Sequence, residues 1–197
     1  MNILQCGKLM YKKGYACGTA GNISVRKPDG VEGIDVTRSG SHIGLLQPTD
    51  IIYMDEKGNY KANPLLDYKP TIELPTHLGI YEIRPEINAV IHAHLVNVLV
   101  ADDIDNRWFE YVSTEQSDYY LDTAGMLATT GKYYQSGSDG ASNAVLKLVK
   151  DGNSVIIAMH HGVWLLGVTL REAFIRLEVL SELAEFYIKW KTLKTGL

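Results

Sequence analysis

Apolar residues recur along this chain at two spacings, which predict helices in some segments and strands in others. Helical spacing is clearest in residues 170–187, where the apolar stripe begins behind a capping box formed by Thr169 and Glu172. Shorter helices are predicted over residues 3–15, 71–84 and 141–150. A glycine-rich turn that leads directly into a strand is predicted over residues 18–26. Further strands are predicted at 33–37, 51–54, 89–100, 108–112, 154–159 and 163–166. Residues 101–107 are predicted to form a polar connection, and residues 131–138 a loop. Residues 113–121 match neither the helical nor the strand spacing.

The predicted strand at residues 89–100 carries two histidines, His92 and His94, among apolar residues. Residues two apart in a strand point to the same face, roughly 6–7 Å apart along the backbone, so two imidazoles can reach one ion. Polar side chains in an apolar strand are costly unless they are paired. The pattern favours a metal site, and the alternative is two core histidines satisfied by hydrogen bonds.

A second pair of histidines, His160 and His161, follows the predicted strand 154–159 and precedes Gly162. Four of the six histidines therefore lie in two short strand motifs, which strengthens the metal interpretation. Three neutral imidazoles on one ion leave one tetrahedral position open, as in catalytic rather than structural sites. Zinc is the default ion for histidine ligands, and cobalt, manganese and iron are the alternatives.

A carboxylate, Glu73, lies at or just before the start of the helix predicted at 71–84. Beside a metal that polarises a carbonyl, this group can move a proton or occupy the open coordination position. The alternative is a helix cap, which the positive end of the helix dipole also favours. His77 lies four residues on and can share a helix face with Glu73, although an ordinary packed or hydrogen-bonded helix residue is the simpler interpretation.

Two glycine-containing turns, at residues 18–22 and 38–41, flank predicted strands. Such turns expose backbone N–H groups to an anion, and Thr19, Asn22 and Ser39 add side-chain donors. Arg38 suits a phosphate or a carboxylate because its guanidinium can bind bidentately. The simpler alternatives are ordinary turns and a solvated surface arginine. A metal, a carboxylate and an anion-holding turn together suggest carbon–carbon or carbon–hydrogen chemistry beside a carbonyl.

Composition narrows the class of protein further. The chain has 197 residues, which predicts one domain, and its net charge of -4 gives no basis for nucleic-acid binding. The two cysteines, Cys6 and Cys17, make no disulfide framework and fit a reducing compartment. The start of the chain lacks a signal-peptide pattern, and no apolar run approaches the roughly 18 residues of a spanning helix. We therefore expect a soluble cytoplasmic protein with no nucleic-acid or membrane partner.

Several of these motifs resemble one protein family. They are residues 19–26 (Thr-Ala-Gly-Asn-Ile-Ser-Val-Arg), 36–40 (Val-Thr-Arg-Ser-Gly), 69–77 (Lys-Pro-Thr-Ile-Glu-Leu-Pro-Thr-His), 89–94 (Ala-Val-Ile-His-Ala-His), 160–162 (His-His-Gly) and 172–174 (Glu-Ala-Phe). In this order they cover nearly the whole chain and resemble the class II aldolase/adducin family. The resemblance implies a single domain over 1–197 with an α/β fold, a three-layer α/β/α sandwich around a mainly antiparallel sheet.

The resemblance also implies a site. It assigns a divalent metal, usually one zinc ion per chain, to His92, His94 and His161, with Glu73 as catalytic acid/base. It places the phosphate of a sugar phosphate against the set Gly21, Asn22, Ser39, Gly40 and Thr71. It further implies a homotetramer with active sites at subunit interfaces, each completed by a tyrosine or aspartate of the neighbouring chain.

The chain departs from the family pattern at two places. Ile72 stands where the family often has a second serine, so one phosphate contact is lost, and Arg38 either compensates or marks a carboxylate-bearing substrate. The stretch 118–120, Asp-Tyr-Tyr, resembles the part of the family's epimerases that carries a catalytic aspartate. Asp118 and Tyr119 are therefore candidate catalytic residues, and the tyrosines that could take the same role are Tyr120, Tyr133 and Tyr134.

These features predict a zinc-dependent lyase: an aldolase that cleaves a small ketose phosphate by retro-aldol chemistry through a metal-stabilised enediolate. The first alternative keeps the site and changes the outcome, to 4-epimerisation of a sugar phosphate or to decarboxylation or dehydration of a sugar acid or sugar phosphate. The second alternative is a non-catalytic, adducin-like interaction module. That class predicts eroded metal ligands, whereas the three histidines and Glu73 are all present.

Overall fold

One seven-stranded sheet organises the part of the chain that the computed structural model describes, which is residues 1–27, 31–61, 68–121 and 126–195. Its strands are β1 (Asn22–Arg26), β2 (Ile34–Thr37), β3 (Ile51–Met54), β4 (Ala89–Ala93), β5 (Leu127–Thr129), β6 (Val155–Ala158) and β7 (Gly162–Gly167). They lie in the order β3-β2-β1-β4-β7-β6-β5. All neighbours are antiparallel except β5 and β6, which are parallel.

Six α-helices cover the two faces of the sheet within the described residues. They are α1 (Ile3–Lys12), α2 (Leu74–Ile83), α3 (Val96–Ile104), α4 (Glu115–Tyr120), α5 (Asp139–Lys150) and α6 (Leu170–Thr195). Across these helices, none combines the length and the apolar character that a membrane crossing requires. The sequence located α1, α5 and α6 by their apolar positions, and it located α2 by Pro75 in its first turn and Pro85 just after its end.

The helices form two layers because alternate residues of each strand point to opposite faces. In β4, Ile91 belongs to the core shared with α1, α3 and α6, whereas Val90 belongs to the core shared with α2 and α5. The longest helix, α6, contacts α3, α4, β4 and β7. The predicted three-layer α/β/α sandwich around a mainly antiparallel sheet is therefore confirmed.

The boundary after β4 differs from the sequence prediction, which extended a strand to residue 100 and a polar connection over 101–107. The strand ends at Ala93, and the chain turns into α3. The valines at alternate positions in 96–100 imitate a strand pattern, but Val98 and Ala101 are buried at helical spacing on the side of α6. Packing against α6 therefore overrides the β-propensity of valine.

The strand predicted at residues 108–112 is also wrong. The chain forms a single 3₁₀ turn over Trp108–Glu110, and the Trp108 ring packs 5.8 Å from the Tyr187 ring of α6. The neighbouring segment, which the pattern left unassigned, is α4, and the Thr114 side chain caps it by accepting from the backbone N–H of Ser117. These local structures form because aromatic side chains are buried under α6. The sequence pattern of one segment alone does not contain that information.

The central strands are expected to carry most of the stability. We predict that Leu165→Ala in β7, where the side chain is fully buried, lowers the free energy of unfolding by about 2–5 kcal/mol through lost burial and a residual cavity. The matched control is Leu193→Ala in α6, where the side chain is 85% exposed and the expected change is within about 0.5 kcal/mol. Urea unfolding of the three proteins measures both values, and equal losses would contradict this core.

Candidate active site

Three histidines converge above the end of β4. His92 is in the strand, His94 lies directly after it, and His161 lies in the hairpin between β6 and β7. Their nitrogen atoms lie within 4.8 Å of one another, and the Nε2 atoms of His92 and His94 are 3.1 Å apart. Two nitrogens on a tetrahedral zinc ion would be separated by about 3.3 Å. The spacing of the three side chains therefore fits a single divalent ion.

The protonation of His92 explains why a cation fits this place. Its Nδ1 lies 3.0 Å from the carbonyl oxygen of Val163 and so carries the proton. Burial, with smaller contributions from His161 and His94, lowers the pKa of His92 well below its usual value, so the ring is neutral. Its Nε2 lone pair then points into the cluster, 3.3 Å from Oε2 of Glu73. Acceptors facing one another without a proton between them are stabilised by a cation.

The hairpin between β6 and β7 selects His161 rather than His160. Ala158 pairs with Gly162, which leaves a three-residue loop with His160 in the left-handed region at φ 57°. The His160 Nε2 is turned to Asp103, 2.8 Å away, and not to the cluster. Gly162 is required because a Cβ there would lie 2.5 Å from the carbonyl oxygen of Ala93. This close approach brings His161 to the end of β4.

The carboxylate of Glu73 lies between the histidines instead of capping its helix. Its side chain makes no capping hydrogen bond, and the backbone N–H of Glu73 donates to Oγ1 of Thr71. Oε2 accepts from Nδ2 of Asn22 at 2.7 Å, and Oε1 lies 3.3 Å from Nε2 of His161. The structure therefore excludes the capping interpretation. A buried carboxylate beside a metal centre can exchange a proton with a bound substrate.

A cavity of about 310 Å³ opens beside Glu73 and His94. It is lined by every residue that the sequence nominated for substrate or phosphate binding, namely Thr19, Gly21, Asn22, Arg38, Ser39, Gly40 and Thr71. Gly21 has φ 81°, and a Cβ on it would lie 2.8 Å from the carbonyl oxygen of His92, so this turn can approach β4 only as glycine. The start of α2 lies at the same cavity. Helix N-termini and glycine turns are favourable environments for anions.

Arg38 lines this cavity, and its positive charge is already paired with the carboxylate of Asp50. Its Nε and Nη2 donate to the same oxygen of Asp50, at 3.1 and 2.7 Å. The guanidinium also lies over the ring of Tyr68, 5.4 Å from its centroid. An arginine held in this way shapes the cavity wall, and an anion would have to share it with Asp50.

Ser136 enters the site from the loop before α5, and the sequence analysis missed it. The loop prediction for residues 131–138 gave no reason to choose one of its hydroxyl groups. In the structure Ser136 lines the cavity, and its Oγ lies 3.4 Å from Oε1 of Glu73. Ile72 is 62% exposed, and a Cβ on Gly137 would lie 3.1 Å from its Cδ1. Ile72 stands where the family often has a serine, and it lies against the loop from which Ser136 supplies a different hydroxyl group.

Asp118 and Tyr119 are placed in α4, which packs on α6 and not on α2. Tyr119 is 78% exposed and its ring contacts Tyr120. Neither Asp118 nor Tyr119 lines the cavity beside Glu73 in this chain. Tyr134 borders a second, smaller cavity that includes Glu73 and His161. Of the tyrosines that could replace Tyr119, Tyr134 is thus one that lies near Glu73 within the same chain.

Comparison with known proteins assigns the family. The model of the class II aldolase and adducin N-terminal domain matches residues 1–188. An L-fuculose phosphate aldolase of Methanocaldococcus jannaschii is 36% identical over 180 residues, which are 91% of this chain and 90% of that protein. A 3-oxo-tetronate 4-phosphate decarboxylase of Haemophilus influenzae is 29% identical, over 94% of this chain and 84% of its own.

A solved structure agrees at the level of the fold. The L-fuculose-1-phosphate aldolase of Thermus thermophilus matches 98% of this chain and 94% of its own, with a TM-score of 0.76 at 20% identity. The chain belongs to the class II aldolase and adducin family, which confirms the resemblance seen in its motifs. Family membership supports an enzyme of the lyase class, in a family that generally uses a divalent metal.

Removal of one ligand tests the metal centre. We predict that purified protein supplied with zinc holds about one ion per chain and that His92→Ala loses it, because two imidazoles bind far more weakly than three. The control is His160→Asn, which changes the adjacent histidine that faces Asp103 and keeps a residue tolerant of positive φ. Elemental analysis gives the ion content, and an unchanged content in His92→Ala would contradict this ligand set.

Acid should release the ion. Burial lowers the pKa of both His92 and His94, so the neutral form that binds metal persists throughout the neutral range. Protons compete for the imidazoles only as the pH falls below the ordinary histidine value of about 6.5. We expect full occupancy at neutral pH and loss on stepwise acidification, measured by equilibrium dialysis with circular dichroism to confirm folding. Full retention in a folded protein at about pH 3 would be incompatible with histidine ligation.

Proposed function

We propose that this protein is a zinc-dependent aldolase that cleaves a small ketose phosphate by retro-aldol chemistry. One observation carries the proposal: the buried Glu73 carboxylate lies 3.3 Å from both His92 and His161. The same carboxylate borders the cavity formed by the glycine turns and the start of α2. An ion-binding cluster, a proton-transfer group and an anion cradle are thus contiguous.

When bound to the three histidines, the metal would supply Lewis acidity that polarises the carbonyl of the substrate. The remaining tasks belong to the side chains of the protein. The cradle around Gly21 and Gly40 holds the anionic end of the substrate, so that the reacting carbons lie beside Glu73. Asn22 fixes Oε2 of Glu73 by its 2.7 Å hydrogen bond and leaves Oε1 as the oxygen for proton exchange.

The proposed cleavage conserves atoms and electrons. The hydroxyl group on the carbon beyond the breaking bond gives its proton to the Glu73 carboxylate and becomes the carbonyl of the departing aldehyde. The electron pair of the carbon–carbon bond remains on the ketose fragment as an enediolate. Glu73, protonated at that stage, delivers its proton to the enediolate carbon and gives dihydroxyacetone phosphate or a related fragment. The reverse sequence forms the bond.

A phosphorylated substrate is supported by the relatives and by the cavity. The aldolase and the decarboxylase described above both carry a phosphate in the name of what they act on. In this chain the cradle combines two glycine turns, the hydroxyl groups of Ser39 and Thr71, and the start of a helix, which are all suited to a phosphate. Ser136 adds a hydroxyl at the wall where Ile72 lacks one.

A second candidate function is decarboxylation of a phosphorylated sugar acid. The relative named as a 3-oxo-tetronate 4-phosphate decarboxylase covers 94% of this chain at 29% identity. The same metal and the same carboxylate would serve that reaction, with carbon dioxide leaving in place of an aldehyde. The epimerase alternative depends on Asp118 and Tyr119, and Tyr119 is exposed where a neighbouring chain could use it. A non-catalytic module is disfavoured by the intact cluster.

The assembly and the cellular setting extend the same proposal. We propose a cytoplasmic homotetramer with active sites at subunit interfaces. Exposed apolar residues on one side of α3, Val96, Val100 and Ile104, recur at four-residue spacing and would suit a subunit contact. The family resemblance and the exposure of Tyr119 support a shared site.

Product analysis tests the reaction class. Zinc-loaded protein is incubated with ketose 1-phosphates, including L-fuculose 1-phosphate, and with phosphorylated 3-oxo sugar acids. We expect dihydroxyacetone phosphate and an aldehyde from a ketose phosphate, and no product after chelation. Release of carbon dioxide from the sugar acids would instead identify a decarboxylase. Formation of an epimeric sugar phosphate would identify an epimerase.

The role of Glu73 has its own prediction. Glu73→Gln keeps the size of the side chain and an oxygen for Asn22, but it removes the proton-carrying group. We expect unchanged metal content and a turnover lower by about 10²- to 10⁴-fold. The control is Glu82→Gln, an exposed glutamate on the same helix, which should keep full activity. Full activity in Glu73→Gln would remove Glu73 from the mechanism.

A further inference from the structure

A continuous chain of buried polar side chains leads from Glu73 into the layer between the sheet and α2. Glu73, His77 and Tyr81 lie four residues apart on one face of the helix. Asn22 and Ser24 lie two residues apart on the facing side of β1. Each of these side chains is at most 7% exposed. The helical and strand periods therefore bring the two rows into register.

The hydrogen bonds in this chain have one direction, and Asn22 sets it. Glu73 accepts at Oε2, so the donor at 2.7 Å is the amide nitrogen of Asn22. The amide oxygen of Asn22 is then directed at Nε2 of His77, 2.6 Å away. An amide oxygen only accepts hydrogen bonds. His77 must therefore carry a proton on Nε2.

The rest of the chain satisfies the other ring nitrogen of His77. Burial lowers the pKa of His77 to about 3, so the ring holds one proton at neutral pH and Nδ1 is an acceptor. Ser24 Oγ lies 2.7 Å from Nδ1 and donates to it. Tyr81 lies 2.8 Å from the same Oγ and donates to Ser24. Every member is satisfied in this one arrangement, which starts at Tyr81 and ends at the carboxylate.

We propose that His77 is a positioning residue for Glu73, because its Nε2–H fixes the Asn22 amide with the nitrogen towards the carboxylate. The inference rests on the proposed acid/base role of Glu73. With the amide fixed, Oε2 of Glu73 always receives a hydrogen bond and Oε1 remains for the reacting proton.

The proposal differs from a purely structural contact between α2 and β1. Without the donor at position 77, the Asn22 amide can rotate and present its oxygen to the Glu73 carboxylate. Two acceptors then face each other, and the Glu73 carboxylate loses the hydrogen bond that holds Oε2 in place. A structural contact alone would change stability and would not make kcat depend on whether residue 77 offers an N–H to Asn22.

The experiment compares three variants of the zinc-loaded protein. His77→Leu removes the donor to Asn22. His77→Gln keeps an amide N–H where the ring nitrogen was. Ile80→Ala is the structural control, because Ile80 is a fully buried residue of α2 outside the polar chain. For each protein we would measure metal content, thermal stability, kcat and KM.

We expect His77→Leu to lower kcat roughly ten- to hundred-fold with little change in KM, as for loss of a hydrogen bond that supports a charged group. His77→Gln should restore most of kcat, because its amide N–H replaces the donor to Asn22. Ile80→Ala should lose stability and keep kcat. A kcat in His77→Leu equal to that of Ile80→Ala, or no recovery of kcat in His77→Gln, would overturn the proposal.

A second measurement does not depend on activity. Long-range ¹H–¹⁵N NMR spectra identify which nitrogen of a histidine carries the proton, and we expect the Nε2–H tautomer for His77 at neutral pH. An Nδ1–H tautomer or a doubly protonated ring would overturn the inference. If His77→Leu fails to fold, His77→Phe takes its place, since it keeps an aromatic ring against Trp164 and removes the donor to Asn22. The expected tautomer in a protein without lyase activity would contradict the proposed function and leave the hydrogen-bond direction intact.

Discussion

The site depends on hydrogen-bond acceptors that are held together at the buried end of a cavity. Nε2 of His92 and Oε2 of Glu73 are 3.3 Å apart, and the single N–H of His92, on Nδ1, donates to the backbone carbonyl of Val163. Such an arrangement is unfavourable by itself and becomes favourable around a cation. The surrounding structure must therefore hold these side chains in place before the ion arrives. The sheet holds His92, and the start of α2 holds Glu73.

Strand order determines which chemistry meets at this point. The central strand β4 has β1 on one side and β7 on the other, so His92 lies opposite both Asn22 and Trp164. Trp164 covers one face of the His92 ring, with the ring centroids 4.5 Å apart. Asn22 connects the same strand pair to the glycine turn of the cavity. The histidines, the Glu73 carboxylate and the anion cradle therefore lie within the width of four adjacent strands, β2, β1, β4 and β7, although they are distant in sequence.

The parts of the site that sequence reasoning predicted are those with a local signal. His92 and His94 are separated by one residue, Glu73 lies at a helix start, and the glycine turns mark tight backbone, so each was found from its neighbours. The end of β4 was missed because alternating valines fit a strand and only contact with α6 favours a helix. Ser136 and the role of His77 depend on distances across the fold. The four-residue spacing of Glu73, His77 and Tyr81 was visible in the sequence, but the row of β1 that faces it was not.

The length of the hairpin that carries His161 limits which changes this chain can accept there. Its loop has three residues between the paired Ala158 and Gly162, and of two neighbours in it His160 faces Asp103 whereas His161 faces Glu73. Inserting or deleting one residue would present a different side chain to the metal cluster, since a shift of one position reverses the facing of a strand end. The loop can therefore accept changes of composition far more readily than changes of length. A substitution that keeps the length of the hairpin would leave His161 at the cluster, whereas a change of length would displace it.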